Sequence, residues 1–254
     1  VSRPRRARGE SSAPRPARRV LITGASRGLG LEFTRGYLER GDRVFAACRR
    51  PAAARALAAL ARAHPDRLTV VPLDVTDAAS IRAAHAIVRR QLDGLDLLIN
   101  NAGMYSTRGS ADPSERLGGL RFEDALLLLR ANAVGPLMVT QQFLDLLAAG
   151  RRRRVVAISS EYGSVSANTG GFPYYYAASK AALNMLMRSL AAEARSLGIV
   201  TALLDPGWVS TDMGGPDAPV TPARSVAGMM RVIDGLGARD SGRFLTWEGR
   251  AAPW

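Results

Sequence analysis

The sequence predicts an α/β fold: a single-domain Rossmann-type, doubly wound parallel sheet of about seven strands, with helices on both faces. Three observations lead there. Short apolar runs alternate with longer helical stretches along most of the chain. The strand runs are mostly continuous in their hydrophobicity, as strands covered on both faces read. The most distinctive small and polar residues fall just after strands, where open α/β sheets bind ligands.

In chain order, strands are expected at 19–23, 43–47, 68–73, 95–99, 155–159, 200–204 and 243–246. Helical segments lie between them, near 29–40, 51–64, 78–92, 120–149, 174–197 and 222–236. Repeated βαβ units of this kind build a parallel sheet through right-handed crossovers. No internal repeat or second domain boundary is visible.

The 254 residues suit one α/β domain, and an apolar share of 47 % allows a sizeable core. Aromatics are only 6 %, so Ala, Leu and Val must fill most of it. No stretch is long and apolar enough to span a bilayer. No apolar segment follows the first arginines, so no secretory signal is expected. Cys48 is the lone cysteine, which excludes an internal disulfide and fits a reducing, cytoplasmic setting. No metal site is expected.

The net charge is +13. Residues 1–19 hold seven arginines against Glu10 alone, with Pro4, Pro14 and Pro16 among them. Residues 1–18 are therefore expected to be a disordered, dispensable tail, and 19–254 the folded domain. No aromatic is interleaved with these arginines, so nucleic acid is not expected as a partner. A second run, Arg151 to Arg154, reads as a solvated loop. Against 34 arginines there is one lysine, Lys180. Where charge alone matters Arg would serve, so Lys180 marks a place that needs a compact ammonium.

The first strand runs into Thr23-Gly24-Ala25-Ser26-Arg27-Gly28-Leu29-Gly30. Gly24 lets the chain turn sharply, Gly28 removes a Cβ where backbone meets pyrophosphate, and Gly30 lets the helix pack close. The following helix offers free N–H groups and a positive dipole end to phosphates. Gly24, Ser26, Arg27, Gly28, Leu29 and Gly30 are thus the expected wall of a dinucleotide site. The second strand ends Ala46-Ala47-Cys48-Arg49-Arg50, with no carboxylate for a ribose 2′-hydroxyl. Arg49 and Arg27 suit a 2′-phosphate, so NADP(H) is the expected cofactor. Asp74 and Val75 end the third strand, with Asp74 placed to accept from an adenine amino group. Asn101, Ala102 and Gly103 follow the fourth, small enough for a ring to pass close to backbone.

Tyr176 and Lys180 lie four apart on one helix face, and Ser159-Ser160 follow the fifth strand. An ammonium beside a phenol lowers the phenol's pKa. Such a phenol can give a proton to a developing alkoxide, while a serine hydroxyl hydrogen-bonds the same oxygen.

Taken together, the TGxxxGxG loop, Asp74, NNAG, a central helix asparagine, the serine, YxxxK and Pro206-Gly207 resemble the short-chain dehydrogenase/reductase family. The resemblance runs from Arg19 to Trp254. It implies NADP(H)-dependent reduction of an aldehyde or ketone to an alcohol. It further implies that Ser160, Tyr176 and Lys180 are catalytic and that Asn132 supports a water-mediated proton relay. Pro206, Gly207, Val209 and Thr211 would meet the nicotinamide end. Gly163-Ser164, Asn168-Thr169-Gly170-Gly171, SKAALNM and PGWVSTDMGG are similar to the C-factor and sniffer-like carbonyl reductases. The Ser160–Tyr176 interval is wide, through 168–173, which leaves Ser159 as the alternative to Ser160. Met104, Tyr105, Tyr162, Phe172, Trp208 and Met213 could wall a mostly apolar substrate pocket. Residues 120–149 and 174–197 carry more apolar surface than one sheet face covers, so a homodimer or homotetramer is expected. A cofactor-sensing regulator would show a broken YxxxK or lack the serine, and neither is seen.

Overall fold

Val20, Leu21 and Ile22 lose all exposure to solvent in β1 (Arg19–Thr23). A computed structural model, which describes residues 16–106, 116–171 and 173–254, places this strand in the middle of the sheet. On one side lie β2 (Arg43–Cys48) and β3 (Leu68–Pro72). On the other lie β4 (Leu97–Asn100), β5 (Arg154–Ile158), β6 (Val200–Asp205) and β7 (Arg243–Thr246). All pairings within the sheet are parallel, with Val20 opposite both Val44 and Leu97. Burial on both faces explains why the strands read as continuous apolar runs. The order β3-β2-β1-β4-β5-β6-β7 reverses between β1 and β4. At that switch point the two adjoining loops leave in opposite directions and a crevice opens.

Helices cover both faces. Val20, Ile22, Val44 and Ala46 pack with Phe33 and Tyr37 of α1 (Gly28–Glu39), Leu57 of α2 (Arg55–Ala63), and Met229 and Ile233 of α8 (Pro222–Gly235). Leu21, Phe45, Leu98 and Val155 pack with Ile81 and Val88 of α3 (Ala78–Arg89), Val139 of α5 (Gly135–Gln142), and Leu183 and Met187 of α7 (Tyr174–Glu193). No helix among the described residues is long and apolar enough to cross a membrane.

The segment expected as one helix over 120–149 is instead α4 (Phe122–Leu129), a π-helical turn at Arg130–Val134, α5, and α6 (Leu144–Ala148). The physical reason is Pro136, which has no N–H to donate four residues back. Gly135 donates five back, to the Arg130 carbonyl, and the turn widens. The helix expected over 51–64 likewise begins as a separate 3-10 turn, Pro51–Ala53.

Two readings of arginine need correction. Arg18, assigned to the tail, is buried; its N–H donates to Asp42 at 2.8 Å and its guanidinium pairs with Asp234. It belongs to the folded domain. Arg151 and Arg152 are exposed as expected, but Arg153 and Arg154 are not a solvated run. Arg154 donates to the carbonyls of Ile233 (2.6 Å) and Leu236 (2.5 Å), and Arg153 to those of Gly150 and Leu197. These forks satisfy carbonyls that helix ends leave without partners. Residues 1–15 of the predicted tail, and Phe172 of the predicted pocket wall, lie outside the described residues.

Candidate active site

The turn after β1 is shaped by close backbone approach. Gly24 has φ +67°, and a Cβ there would stand 2.8 Å from Ala102 Cα. At Gly30 a Cβ would come within 2.3 Å of the Gly24 carbonyl oxygen. Gly28, at φ +53°, differs: its added Cβ would meet only Thr211, at 3.6 Å. That leaves a cradle open above the loop. Arg27 begins α1 without any side-chain cap. The first N–H groups of α1 therefore face the cradle with their orphan donors available.

Asn101 holds the loop in place: its Nδ2 donates to the carbonyls of Thr23 (2.9 Å) and Gly24 (3.2 Å). Thr23 Oγ1 in turn accepts from the N–H groups of Asn101 and Ala102. The resulting cleft, about 220 Å³, is lined by Gly24, Ser26, Arg27, Gly28, Leu29, Arg49, Ala102, Gly103, Lys180 and Thr211 among others. Arg49 stands at its β2 end. Arg27 is exposed and pairs with Asp212 at 3.0 Å, joining the glycine loop to the segment after β6. Asp74 and Val75 do not line this cavity. Asp74 Oδ1 instead accepts from the Thr76 N–H (2.9 Å) and hydroxyl (2.7 Å). Against the burial penalty, those bonds with Arg49 and Arg130 nearby hold its carboxyl below the usual range.

α7 carries Tyr176 and Lys180 one turn apart, both buried. Ser160 Oγ is in hydrogen-bonding contact with the Tyr176 phenol. Ser159 is turned away, its hydroxyl donating to Asn184 Oδ1 at 2.6 Å. Ser160 is therefore the serine that faces Tyr176. Lys180 Nζ donates to the Ile158 carbonyl at 2.9 Å and lies 5.6 Å from the Tyr176 ring centroid. Asn132, in the π-helical turn, has no solvent exposure. Its Oδ1 accepts from the Met104 N–H (2.8 Å), and its Nδ2 donates to Met104 O (2.7 Å) and Ser179 Oγ (3.0 Å). That clamp fixes the backbone next to Gly103. A Cβ on Gly103 would come 3.2 Å from Asn132 Oδ1 and 3.7 Å from Lys180 Nζ.

The electrostatics differ from the sequence expectation. Burial pushes the Tyr176 phenol above its ordinary pKa, against the Ser160 hydrogen bond, and Asp205 adds to the rise. Lys180 is not among the groups that bring it down; its ammonium donates to Ile158 O and lies 5.6 Å from the ring centroid. Burial also lowers Lys180, to about 8, with Asp205 opposing the fall. Here desolvation outweighs the pair. Tyr176 is thus a neutral phenol at neutral pH.

A second cavity, about 420 Å³, adjoins the first, and Tyr176 lines both. Tyr105, Ser160, Tyr162, Trp208, Val209 and Met213 also border it, as does Gly207, whose φ is +74°. Tyr105 and Tyr162 approach the Tyr176 ring at centroid distances of 4.8 and 6.0 Å. Pro206, at the junction, accepts the Ser225 hydroxyl at 2.7 Å.

Two residues of this region were given no role in the sequence reading. Asn184 bonds Ser159 and also donates to the Gly163 carbonyl at 3.1 Å, fixing the turn that bears Ser160. Its signal was present: a polar residue eight after Tyr176 and four after Lys180, on one helix face. Asp205 ends β6 and accepts from the N–H groups of Gly207 (3.1 Å) and Glu161. Burial nonetheless raises its carboxyl above the ordinary value.

Comparison with known proteins bears on this arrangement. The short chain dehydrogenase family model matches residues 18–219. C-signal of Myxococcus xanthus is 48 % identical over 160 residues, which cover 63 % of this chain and 93 % of that protein. The 1-hydroxy-2-glutathionyl-2-methyl-3-butene dehydrogenase of Rhodococcus sp. strain AD45 is 31 % identical, over 92 % of this chain and 99 % of its own. Among solved structures, the NADPH-bound carbonyl reductase from chicken fatty liver superposes with a TM-score of 0.86 at 40 % identity, covering 94 % of this chain and 99 % of that one. The carbonyl reductase Sniffer of D. melanogaster also gives 0.86, at 30 % identity, covering 94 % of this chain and 100 % of its own. The family model runs from the glycine loop through the Tyr176–Lys180 helix, the Rhodococcus dehydrogenase and the two reductases each match more than nine-tenths of the chain, and this chain belongs to the short-chain dehydrogenase family.

Proposed function

We propose that the protein is an NADP(H)-dependent carbonyl reductase that converts an aldehyde or ketone to an alcohol. One observation carries the reading. Tyr176 stands where the glycine-loop cleft meets the second cavity, with Ser160 on its phenol and Lys180 beneath its ring. A cofactor in the cleft and a carbonyl compound in the cavity would meet at that hydroxyl.

The residues fit the cofactor. The open cradle above Gly28 and the uncapped start of α1 suit a pyrophosphate. Thr211 and Pro206, which line the cleft, would border the nicotinamide end, and Lys180 would donate to ribose hydroxyls. When bound, NADPH supplies the hydride. Ser160 orients the carbonyl oxygen by a hydrogen bond, and Tyr176 donates the proton as negative charge develops there. Asn132 has its side-chain amide engaged by Met104 and Ser179, so it acts by holding the Met104 backbone rather than through a free amide. Monitoring NADPH consumption across a panel of aldehydes and ketones tests the reading; no turnover with any of them would count against it.

The preference for NADPH over NADH rests on Arg49, which lines the cleft, and on the missing carboxylate after β2. The chicken reductase, solved with NADPH bound, supports the same reading through its likeness. Arg49→Asp is expected to turn the ratio of kcat/KM values toward NADH by about tenfold or more, since a carboxylate repels a 2′-phosphate and accepts from a 2′-hydroxyl. A wild-type enzyme that uses NADH as well as NADPH would remove the premise.

A homodimer or homotetramer is part of the proposal. Phe122, Leu126 and Leu127 of α4, Val134, Met138 of α5 and Met185 of α7 are all exposed. Exposed apolar side chains gathered on a few helices suit an interaction surface. Light scattering at micromolar protein is expected to give at least twice the 27.1 kDa chain mass, and a monomer would contradict it.

A further inference from the structure

We propose that the second cavity selects carbonyl compounds with an aromatic body and a cationic, ammonium-type end, and that Glu161 and Asp205 make the selection. The inference rests on the carbonyl-reductase reading above and adds a substrate class to it.

The charge of the cavity runs against that of the chain. The protein carries 35 basic residues against 22 acidic ones. Yet the described residues that line this cavity include two carboxylates, Glu161 and Asp205, and no Arg or Lys. The neighbouring cleft shows the opposite bias, with Arg27, Arg49 and Lys180 in its wall against one carboxylate, Asp212, which Arg27 pairs. The two cavities thus divide by sign: the basic one suits phosphates, the acidic one a cation.

The carboxylates sit at different depths. Asp205 is half-buried at the end of β6, and two backbone N–H groups, of Gly207 and Glu161, hold it in place. Glu161 is exposed and opens the short 3-10 turn Glu161–Gly163 directly after Ser160. No basic side chain among the described residues forms an ion pair with Glu161. Its charge is therefore left to the cavity mouth.

The rest of the wall has the chemistry that cations favour. Tyr105, Tyr162 and Trp208 border the space. Trp208 is fixed by its Nε1 donating to the Gly214 carbonyl at 2.7 Å. Aromatic faces around a partly desolvated site attract quaternary ammonium groups, and adjacent carboxylates strengthen that attraction. The same carboxylates repel an anionic substrate, so discrimination comes from both directions.

Three para-substituted benzaldehydes of similar size test the proposal: the trimethylammonio compound, its neutral tert-butyl isostere, and formylbenzoate. Steady-state kcat/KM with NADPH would be measured for each in the wild type, Glu161→Gln and Asp205→Asn. The ring substituents also change intrinsic reactivity, so the quantity read is the cationic-to-neutral ratio in wild type divided by that in each variant. This quotient cancels the electronic effect. It is expected to be about three- to tenfold for each variant, the scale of one cation contact at a partly exposed site. Formylbenzoate should gain in both variants relative to the isostere. Asp205→Asn keeps an acceptor for the Gly207 N–H; if it nevertheless unfolds, Glu161→Gln at its exposed position decides alone. Reduction of the tert-butyl compound with a quotient of one in every folded variant would overturn the inference and leave the reductase reading standing. Failure to reduce any of the three, or any other carbonyl compound, would overturn both.

Discussion

Tyr176→Phe is expected to lower carbonyl reduction by about 10²–10⁴-fold, the usual contribution of a positioned general acid. The ring stays, so its contacts with Tyr105 and Tyr162 stay, and the protein should fold and still bind NADPH. What is lost is the hydroxyl that meets Ser160 at the junction of the two cavities. Single-turnover NADPH oxidation measures the loss, and fluorescence titration of NADPH separates it from binding. The two neighbouring tyrosines are internal controls. Tyr174 is exposed and lines neither cavity, so Tyr174→Phe should be close to neutral. If Tyr174→Phe or Tyr175→Phe proves the damaging change, the proton donor has been misplaced. The raised phenol pKa adds a sign to this prediction. Reduction uses the protonated phenol, which burial favours at neutral pH. Alcohol oxidation needs the phenolate, so its rate should climb as pH rises into the alkaline range.

Lys180→Arg is expected to reduce turnover at least tenfold, a barrier increase of about 1.4 kcal/mol. The substitution keeps the charge in a protein that uses arginine everywhere else. A surface cation would tolerate it. Lys180 is buried, reaches the Ile158 carbonyl, and lies 3.7 Å from where a Cβ on Gly103 would stand. A broad planar fork has no room there without displacing Tyr176 or the Gly103 backbone. The pH profile gives a second readout. Lys180 titrates near 8, so wild-type affinity for NADPH should fall as pH rises through that value. Arginine does not titrate in this range, and the variant should lack the limb. Full activity with an unchanged profile would sink the assignment.

Stability should move the other way when the charge is removed. A buried ammonium whose pKa falls from 10.5 to about 8 on folding carries a cost. That cost is fully present below about pH 8 and is relieved as pH rises toward the unfolded value, where the unfolded chain still binds a proton that the folded chain has released. Lys180→Met should therefore raise the stability of the cofactor-free protein at neutral pH. The gain is bounded by about 3 kcal/mol, less the hydrogen bond to Ile158. Such a trade of stability for activity is what a functional site shows.

Local sequence reached the strands, the glycine turn and the YxxxK helix because each depends on near neighbours. A continuous apolar run means burial on both faces wherever it occurs, and the Gly24 and Gly28 turn conformations are properties of those few residues. The four-residue spacing of Tyr176 and Lys180 likewise places them together on any helix. Less legible was what happens inside a long apolar helical stretch. Pro136 was in view, yet the burial of Asn132 against Met104 depends on packing that brings the segment after β4 beside that turn. Arg18 read as tail for a related reason: its partners Asp42 and Asp234 are far away in sequence.

By itself, the sequence determined the parallel α/β architecture, the glycine loop after the first strand and the Tyr176–Lys180 pair, all written in spacings of a few residues. Tertiary structure alone decided that Ser160, not Ser159, faces Tyr176, because Asn184 claims the Ser159 hydroxyl from across the fold. It also decided the electrostatics. A pair of sequence neighbours suggests a phenol lowered by an ammonium, but both groups are buried, and the loss of water shifts them more than they shift each other. Desolvation depends on everything packed around a group, which spacing along the chain does not record.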